Sequence, residues 1–258
     1  MSDKRQRYRS RVRLSRTAVE LKEKAFYLDL VGDFKPLIPP PVIKIHEGVE
    51  VVRDDLIGLG GAKARFAELL VAKTEQDTLV YASLGYSYIC LALIKLSKMY
   101  NKKLILIMPT LPAKNHEISP AHEYCVYSQE VNTNLFCYQI RAKNFGTLTA
   151  FAKNVAHELH AALIPTGLKH DAVMAMIVKT ATTIPQPNRF CVAVGTTMLI
   201  NGLQIAWPDA QARGVAVRNL YGPVGYAEMI GHYLWRNRPA HIIPPFPSTS
   251  KVDAKVWE

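Results

Sequence analysis

No run of uncharged apolar residues in this 258-residue chain approaches the roughly 18 to 20 needed to cross a bilayer, so a membrane-spanning helix is not expected. The N-terminus is rich in arginine with no apolar segment behind it, which is not the pattern of a secretory signal. A cytoplasmic setting is the expectation. Cysteine is scarce: Cys90, Cys125, Cys137 and Cys191 are far apart, with no C-x-x-C pair among them. Reduced core thiols are expected rather than disulfides or a zinc site. The stretch HELH sets His157 and His160 at the spacing of one helix face, but H-E-x-x-H is absent and no third ligand is evident, so no metal is expected. Neither a G-x-G-x-x-G turn nor a P-loop lysine occurs. Nucleoside triphosphates and dinucleotides are therefore poor candidates. Low-complexity segments and internal repeats are also missing.

What is present is an ordinary core and an unusual charge distribution. Hydrophobic side chains make up 49% of the chain, enough to bury one substantial core or two joined ones. The formal charge is +11. More than half of it lies in MSDKRQRYRSRVRLSR, where Lys4, Arg5, Arg7, Arg9, Arg11, Arg13 and Arg16 face only Asp3, a net +6. An arginine-rich arm over residues 1–16, with Tyr8 among the cations, suits a phosphate backbone, because guanidinium groups pair with its oxygens and release counterions. The other reading of the arm is a solvated tail or an organelle-targeting peptide.

Beyond the arm, strand-like and helix-like patterns alternate. Strands are expected at Gly48–Asp54, Thr78–Ser83, Lys103–Pro109, Leu135–Ile140, Phe190–Gly195 and Gly214–Gly222. Helices are expected over AKARFAELLVAK, YSYICLALIKLSKMY, about Leu148 to Leu163, about Asp171 to Thr180, MLINGLQIAW, and near Tyr226 to Arg236. Strands separated by helices, several apolar throughout, indicate an α/β chain with parallel sheets covered on both faces.

Ligands in such sheets sit beyond the carboxyl ends of the strands, at the mouths of helices. Three turns there attract attention. GLGGAK ends in Lys63, a cation where the helix dipole favours an anion. SLGYSY, from Ser83 to Tyr88, joins a strand to a helix. VGTTM, from Val194 to Met198, offers backbone N–H groups and the Thr196 and Thr197 hydroxyls as a cradle for one phosphate. A reactive lysine with a small phosphate cup is the minimal equipment for pyridoxal 5'-phosphate.

The letters themselves carry a resemblance. VVRDDLIGLGGAKARFAELLV resembles the segment around the Schiff-base lysine in the fold type II pyridoxal phosphate enzymes, the tryptophan synthase β-like superfamily, closest to the branch with aminocyclopropane-carboxylate deaminase and D-cysteine desulfhydrase. SLGYSYICLALIKLSKMYNKKLILIMP resembles the family's S-x-G-N-x loop, helix and strand. CVAVGTTMLINGLQIAW is similar to its phosphate loop and following helix, and PPFPSTSKVDAKVWE to its C-terminal segment. These matches occur in the family's order and cover most of the chain from about Lys35 onward.

The resemblance implies two parallel-sheet α/β domains: a larger cofactor-binding one over 17–76 and 146–258, and a smaller one over 77–145, trimmed between Thr110 and Asn134. It implies that Lys63 holds the cofactor as a Schiff base, that Gly195, Thr196, Thr197 and Met198 bind its phosphate, and that Ser248 or Thr249 meets the pyridine nitrogen. Ser83, Gly85, Ser87 and Tyr88 would approach the substrate carboxylate or the cofactor's ring oxygen, with Ser83 and Tyr86 also candidates for catalysis. Tyr86 stands where the family commonly has asparagine, so its phenol would take over a hydrogen bond, act as acid or base, or fill volume. Lys63 would be desolvated near positive helix ends and react as a neutral nucleophile. Relatives are often dimers, so a homodimer is expected. An open, trimmed site beside a basic arm suggests a substrate amino acid carried on DNA, as in phage thymine hypermodification, with decarboxylation as the step. The alternatives are a lyase or deaminase of a free amino acid, and a nucleic-acid-binding relative that has lost the chemistry.

Overall fold

A computed structural model describes residues 22–83, 87–110, 120–142, 144–217, 224–230, 239–248 and 252–257. Two compact units divide the chain: one runs Asp33–Met176, and the other ends at Gly32 and resumes at Ile177. Residues 33–76 and 146–176, assigned by resemblance to the larger domain, thus group with residues 77–145.

In the Asp33–Met176 unit, β1 (Ile43–His46) and β2 (Val49–Val52) form an antiparallel hairpin. Glu47 and Gly48 make its two-residue turn with φ of 50° and 78°, the positive-φ pair that matches strand twist. The strand expected over Gly48–Asp54 is therefore shorter and belongs to a hairpin. Its continuation, Asp54–Ile57, is a turn of 3₁₀ helix.

The main sheet has the order β5-β4-β3-β6, all parallel, from β3 (Thr78–Ala82), β4 (Lys103–Pro109), β5 (Leu135–Ile140) and β6 (Ala162–Leu163). Residues 79–82 and 104–108 are buried without interruption, the signature of central strands covered on both faces. Val80, Ala82, Ile105 and Ile107 point to one side and pack on Leu148, Ala152 and Ala156 of α5 (Phe145–Glu158). Those three recur every fourth residue, one helical stripe. Asn144 starts this helix by accepting the Thr147 amide at 3.0 Å, an N-cap bond. The helix expected to reach Leu163 ends at Glu158, because Ala162 and Leu163 pair with Leu79 and Val80. His160, with φ of 49°, lies past that end, so His157 and His160 do not share a helix face.

The sheet is also flanked by α3 (Tyr88–Met99) and α4 (Pro120–Val131), while α2 (Ala62–Lys73) packs on α3; α4 lies in a stretch too irregular to read as a helix from sequence. Gly60, just before α2, abuts Ala92 of α3, and Glu68 of α2 meets Tyr100 at the end of α3. The two helices consequently run side by side in one direction. Glu68 is fully buried and accepts from the Leu37 amide at 2.6 Å, the Ile38 amide at 3.2 Å and the Tyr100 hydroxyl at 2.8 Å. Burial, with this carboxylate beside it, pushes the Tyr100 phenol upward.

The other unit has a parallel sheet of order β7-β8-β9, from β7 (Arg189–Val194), β8 (Gln211–Ala216) and β9 (Glu228–Ile230). β8 lies earlier than the strand expected from Gly214, because Gln211 pairs with Arg189 and the Gln211 amide bonds to Asn188 O at 2.9 Å. Where a helix was expected from Tyr226, residues 228–230 pair as a strand with 213–215. Val194, Ile200, Ala212, Val224 and Ala227 form the core, with Ile200 on α7 (Met198–Ala206). α1 (Lys24–Val31) is tied to it by Lys24 Nζ donating to Ala206 O at 2.9 Å. α6 (Asp171–Thr182) carries the chain between units. Among the described residues no helix is long and apolar enough to cross a membrane.

Glu68→Ala removes the acceptor of three donors at once, one of them the buried Ile38 amide. Its expected cost is about 3 kcal/mol, read as a lowered urea midpoint, with Glu68→Gln losing less because one acceptor oxygen stays.

Candidate functional site

The segment from Asp54 to Lys63 is a series of tight turns. Leu56, Gly58 and Gly61 each donate to the carbonyl three residues back, at 3.2, 3.1 and 3.0 Å. Gly58, Gly60 and Gly61 have φ of 78°, 86° and 49°, the left-handed region that glycine enters at little cost. Gly60 needs glycine for a second reason: a Cβ there would lie 2.5 Å from Ala92 Cα. The base of the turn is closed by an ion pair between Arg65 and Asp54. Burial raises the Asp54 carboxyl above the ordinary range, while Arg65 and, more weakly, Lys63 favour its charged form.

Lys63 is the second residue of α2 and its side chain is exposed. The expected desolvated amine is not found. Its place in the first turn sets it apart: Ala67 and Leu70, four and seven residues on and so on the same helix face, are buried. Its amine makes no hydrogen bond or ion pair among the described residues, though it lies near enough to Asp54 to help hold that charge.

The β3–α3 turn lies in the same unit. Ser83 ends the strand, its amide bonded to Ile107 O at 2.9 Å, and it is buried at 1% exposure with its hydroxyl hydrogen-bonded to the Cys90 thiol. Its side chain is thus turned into the core, contrary to the expected catalytic or substrate-binding position. Ser87 caps α3, accepting from the Ile89 amide at 3.3 Å, and Tyr88 is exposed. Lys63 and the Ser87–Tyr88 pair stand at the starts of two helices, α2 and α3, that run in the same direction. Gly85 and Tyr86 lie outside the described residues, as do Thr249 and Arg5, Arg7, Arg9, Arg11 and Arg13.

The second turn of interest leaves β7 in the other unit. Thr197 is the N-cap of α7, buried, with φ of 64° and no side-chain cap bond. A β-branched residue in the left-handed region is strained, and the Thr197 side chain does not cap the first amides of α7. Gly195, Thr196 and Met198 around it are half-buried. Such a turn fits a phosphate group: uncapped N–H groups at a positive helix end, with a hydroxyl residue held in an unfavourable conformation. Ser248, half-buried, donates to Phe246 O at 3.4 Å.

The thiols divide. Cys90 and Cys125 are buried and hydrogen-bonded to each other, Cys137 donates to Cys125 O at 3.3 Å, and Cys191 is exposed rather than a core thiol. Among the described residues no group of three histidine, cysteine or acidic side chains is placed to hold a metal.

Comparison with known proteins adds the fold. No family model and no curated protein sequence matches the chain. Solved structures do. A homologue of ACC deaminase superposes with a TM-score of 0.65 at 19% identity, covering 83% of this chain and 79% of that one. The diaminopropionate ammonia lyase of Escherichia coli, in apo form, gives 0.59 at 12% identity, covering 83% and 70%. A pyridoxal 5'-phosphate-dependent aspartate racemase gives 0.53 at 16% identity, covering 74% of this chain and 61% of that one. The chain therefore has the mixed α/β, parallel-sheet fold of these enzymes, as expected.

Sequence reasoning missed Arg65, Ala92 and Lys95, which place the lysine turn. Ala92 and Lys95 sit inside a helix that reads only as amphipathic.

Gly60→Ala is expected to cost about 3 kcal/mol or more, since backbone stands where its Cβ must go. Gly58→Ala meets nothing within 4 Å and should cost only the left-handed penalty, about 1 kcal/mol. Urea unfolding of the two variants measures the difference.

Proposed function

We propose that this protein is a pyridoxal 5'-phosphate-dependent enzyme that acts at the α-carbon of an amino acid, of the deaminase or lyase type. The observation that carries the reading is an exposed, unpaired lysine amine set by a glycine turn at a helix mouth, in a chain with this fold. Deaminase, ammonia lyase and racemase structures share that fold. A second support is the strained, uncapped Val194–Met198 turn.

When bound, pyridoxal phosphate supplies an aldehyde for the substrate amine and a ring that accepts the electrons released at the α-carbon. The residues divide the remaining work. Lys63 Nζ, exposed and without an ion-pair partner, is the covalent anchor and the group that takes and returns a proton at the α-carbon. The amides of Gly195, Thr196, Thr197 and Met198 bind the phosphate, favoured by the positive end of α7. Ser248 or Thr249 faces the pyridine nitrogen. Ser87 and Tyr88, at the start of α3, orient the substrate together with Gly85 and Tyr86 just before them in the chain. Ser83, being buried against Cys90, anchors the end of β3.

A second reading concerns the carrier of the amino acid. The net +6 over residues 1–16 favours a substrate amino acid attached to DNA, with decarboxylation as the reaction. The short stretch between Thr110 and Asn134, which would leave the site open to a large substrate, supports the same reading.

Adding pyridoxal phosphate to the purified protein should produce an absorbance band at roughly 410 to 420 nm, which borohydride reduction fixes onto the Lys63 peptide. Lys63→Ala should show no such band; a band that survives the substitution removes the assignment. Product masses after incubation with free amino acids and with amino-acid-modified duplex separate the two carriers. Turnover confined to free compounds eliminates the DNA reading.

A further inference from the structure

Three of the four residues from Gly58 to Gly61 are glycines with positive φ. A turn of this composition has the widest conformational freedom a chain can have, yet it must deliver Lys63 to a fixed place. Something outside the turn has to hold it. The ion pair between Asp54 and Arg65 closes its base but joins two residues of the same local segment. Gly60 rests on Ala92, a contact that limits approach and supplies no directed bond.

The directed bond comes from Lys95. Its Nζ donates to Ile57 O at 2.7 Å, across from α3 to the last residue of the 3₁₀ turn. The carbonyls at that end gather partial negative charge and lack partners within the turn. An ammonium donor makes the bond charge-assisted and stronger than a neutral one. Lys95 is half-buried, so its cation is partly withdrawn from water to make this contact. A purely solubilising lysine would stay on the open face, as exposed Lys98 does one turn away. Ala92 and Lys95 are three apart on α3, hence on the same face. That face therefore holds the glycine turn by a contact at Gly60 and a bond at Ile57.

The geometry points to Lys95 as a positioning residue for Lys63: a strap from α3 that keeps the Gly58–Gly61 turn in the one conformation that aims the Lys63 amine. The role of that amine rests on the proposed function; the strap itself does not. Without Lys95 the fold persists, because Gly60, Ala92 and the Glu68 cluster still join α2 to α3. The turn loosens, and Lys63 samples orientations in which its amine is misaimed. Small misplacements of a reacting group cost up to about a hundredfold in rate.

Two readouts on the full chain test this. Amide hydrogen exchange of residues 58–63 should rise about tenfold in Lys95→Met, return towards the original in Lys95→Arg, and stay unchanged in Lys98→Met. In the same set, the rate at which added pyridoxal phosphate becomes fixed to Lys63, trapped by borohydride and read by mass, should fall tenfold or more in Lys95→Met and recover in Lys95→Arg. Unchanged exchange in Lys95→Met, or loss of the overall fold in that variant alone, overturns the strap. Faster exchange with an unaltered trapping rate overturns its role in aiming Lys63. If the unsubstituted protein traps no cofactor on Lys63, the proposed function fails and the aiming role falls with it, while the exchange result still decides the strap.

Discussion

The contact of Gly60 with Ala92 is the constraint on which the candidate site depends. A helix backbone and a turn backbone approach so closely that no side chain fits between them. That approach sets where α2 begins, and α2 begins one residue before Lys63. Farther along, the buried carboxylate of Glu68 gathers two amides and a phenol, fixing the other part of α2 against Tyr100 and the Leu37–Ile38 segment. A reactive side chain on a loop would need to be ordered at each use. Here the ordering is done by packing and by a buried polar cluster.

The two suggestive turns share a design although they belong to different units. Each follows the carboxyl end of a parallel strand or leads into a helix whose first amides carry no side-chain cap. Parallel sheets expose such helix mouths along one edge as a consequence of their crossovers. At Lys63 the mouth is occupied by a cation on an open face. At Thr197 it is occupied by a residue in a strained conformation.

Much of this was legible in the letters. LFCYQI and KLILIMP are strands with the expected limits because short, mostly apolar runs of that length have few other uses in an α/β chain. AKARFAELLVAK is a helix over its full length. The failures have physical causes. Ala162 and Leu163 continue a helical pattern but are claimed by β3, and residues 228–230 by β8; pairing with a distant strand outweighs local preference. The helix Pro120–Val131 has its apolar positions broken by polar ones, so its period was hidden. At the site, Lys63 and the Val194–Met198 turn stood out because glycine and threonine before a helix are chemically distinctive. Lys95 did not, since a lysine in an amphipathic helix reads as solvated surface.

Sequence alone determined the alternation of strand and helix, the parallel-sheet class, and the positions of the two helix-mouth turns. Each of these follows from residue type and short-range period. Tertiary structure decided the exposure of Lys63, the inward turn of Ser83 onto Cys90, and the seating of the glycine turn on α3. The reason is that these depend on which residues meet from distant parts of the chain, and a helix's buried face is chosen by its neighbours rather than by the residue that stands at its start.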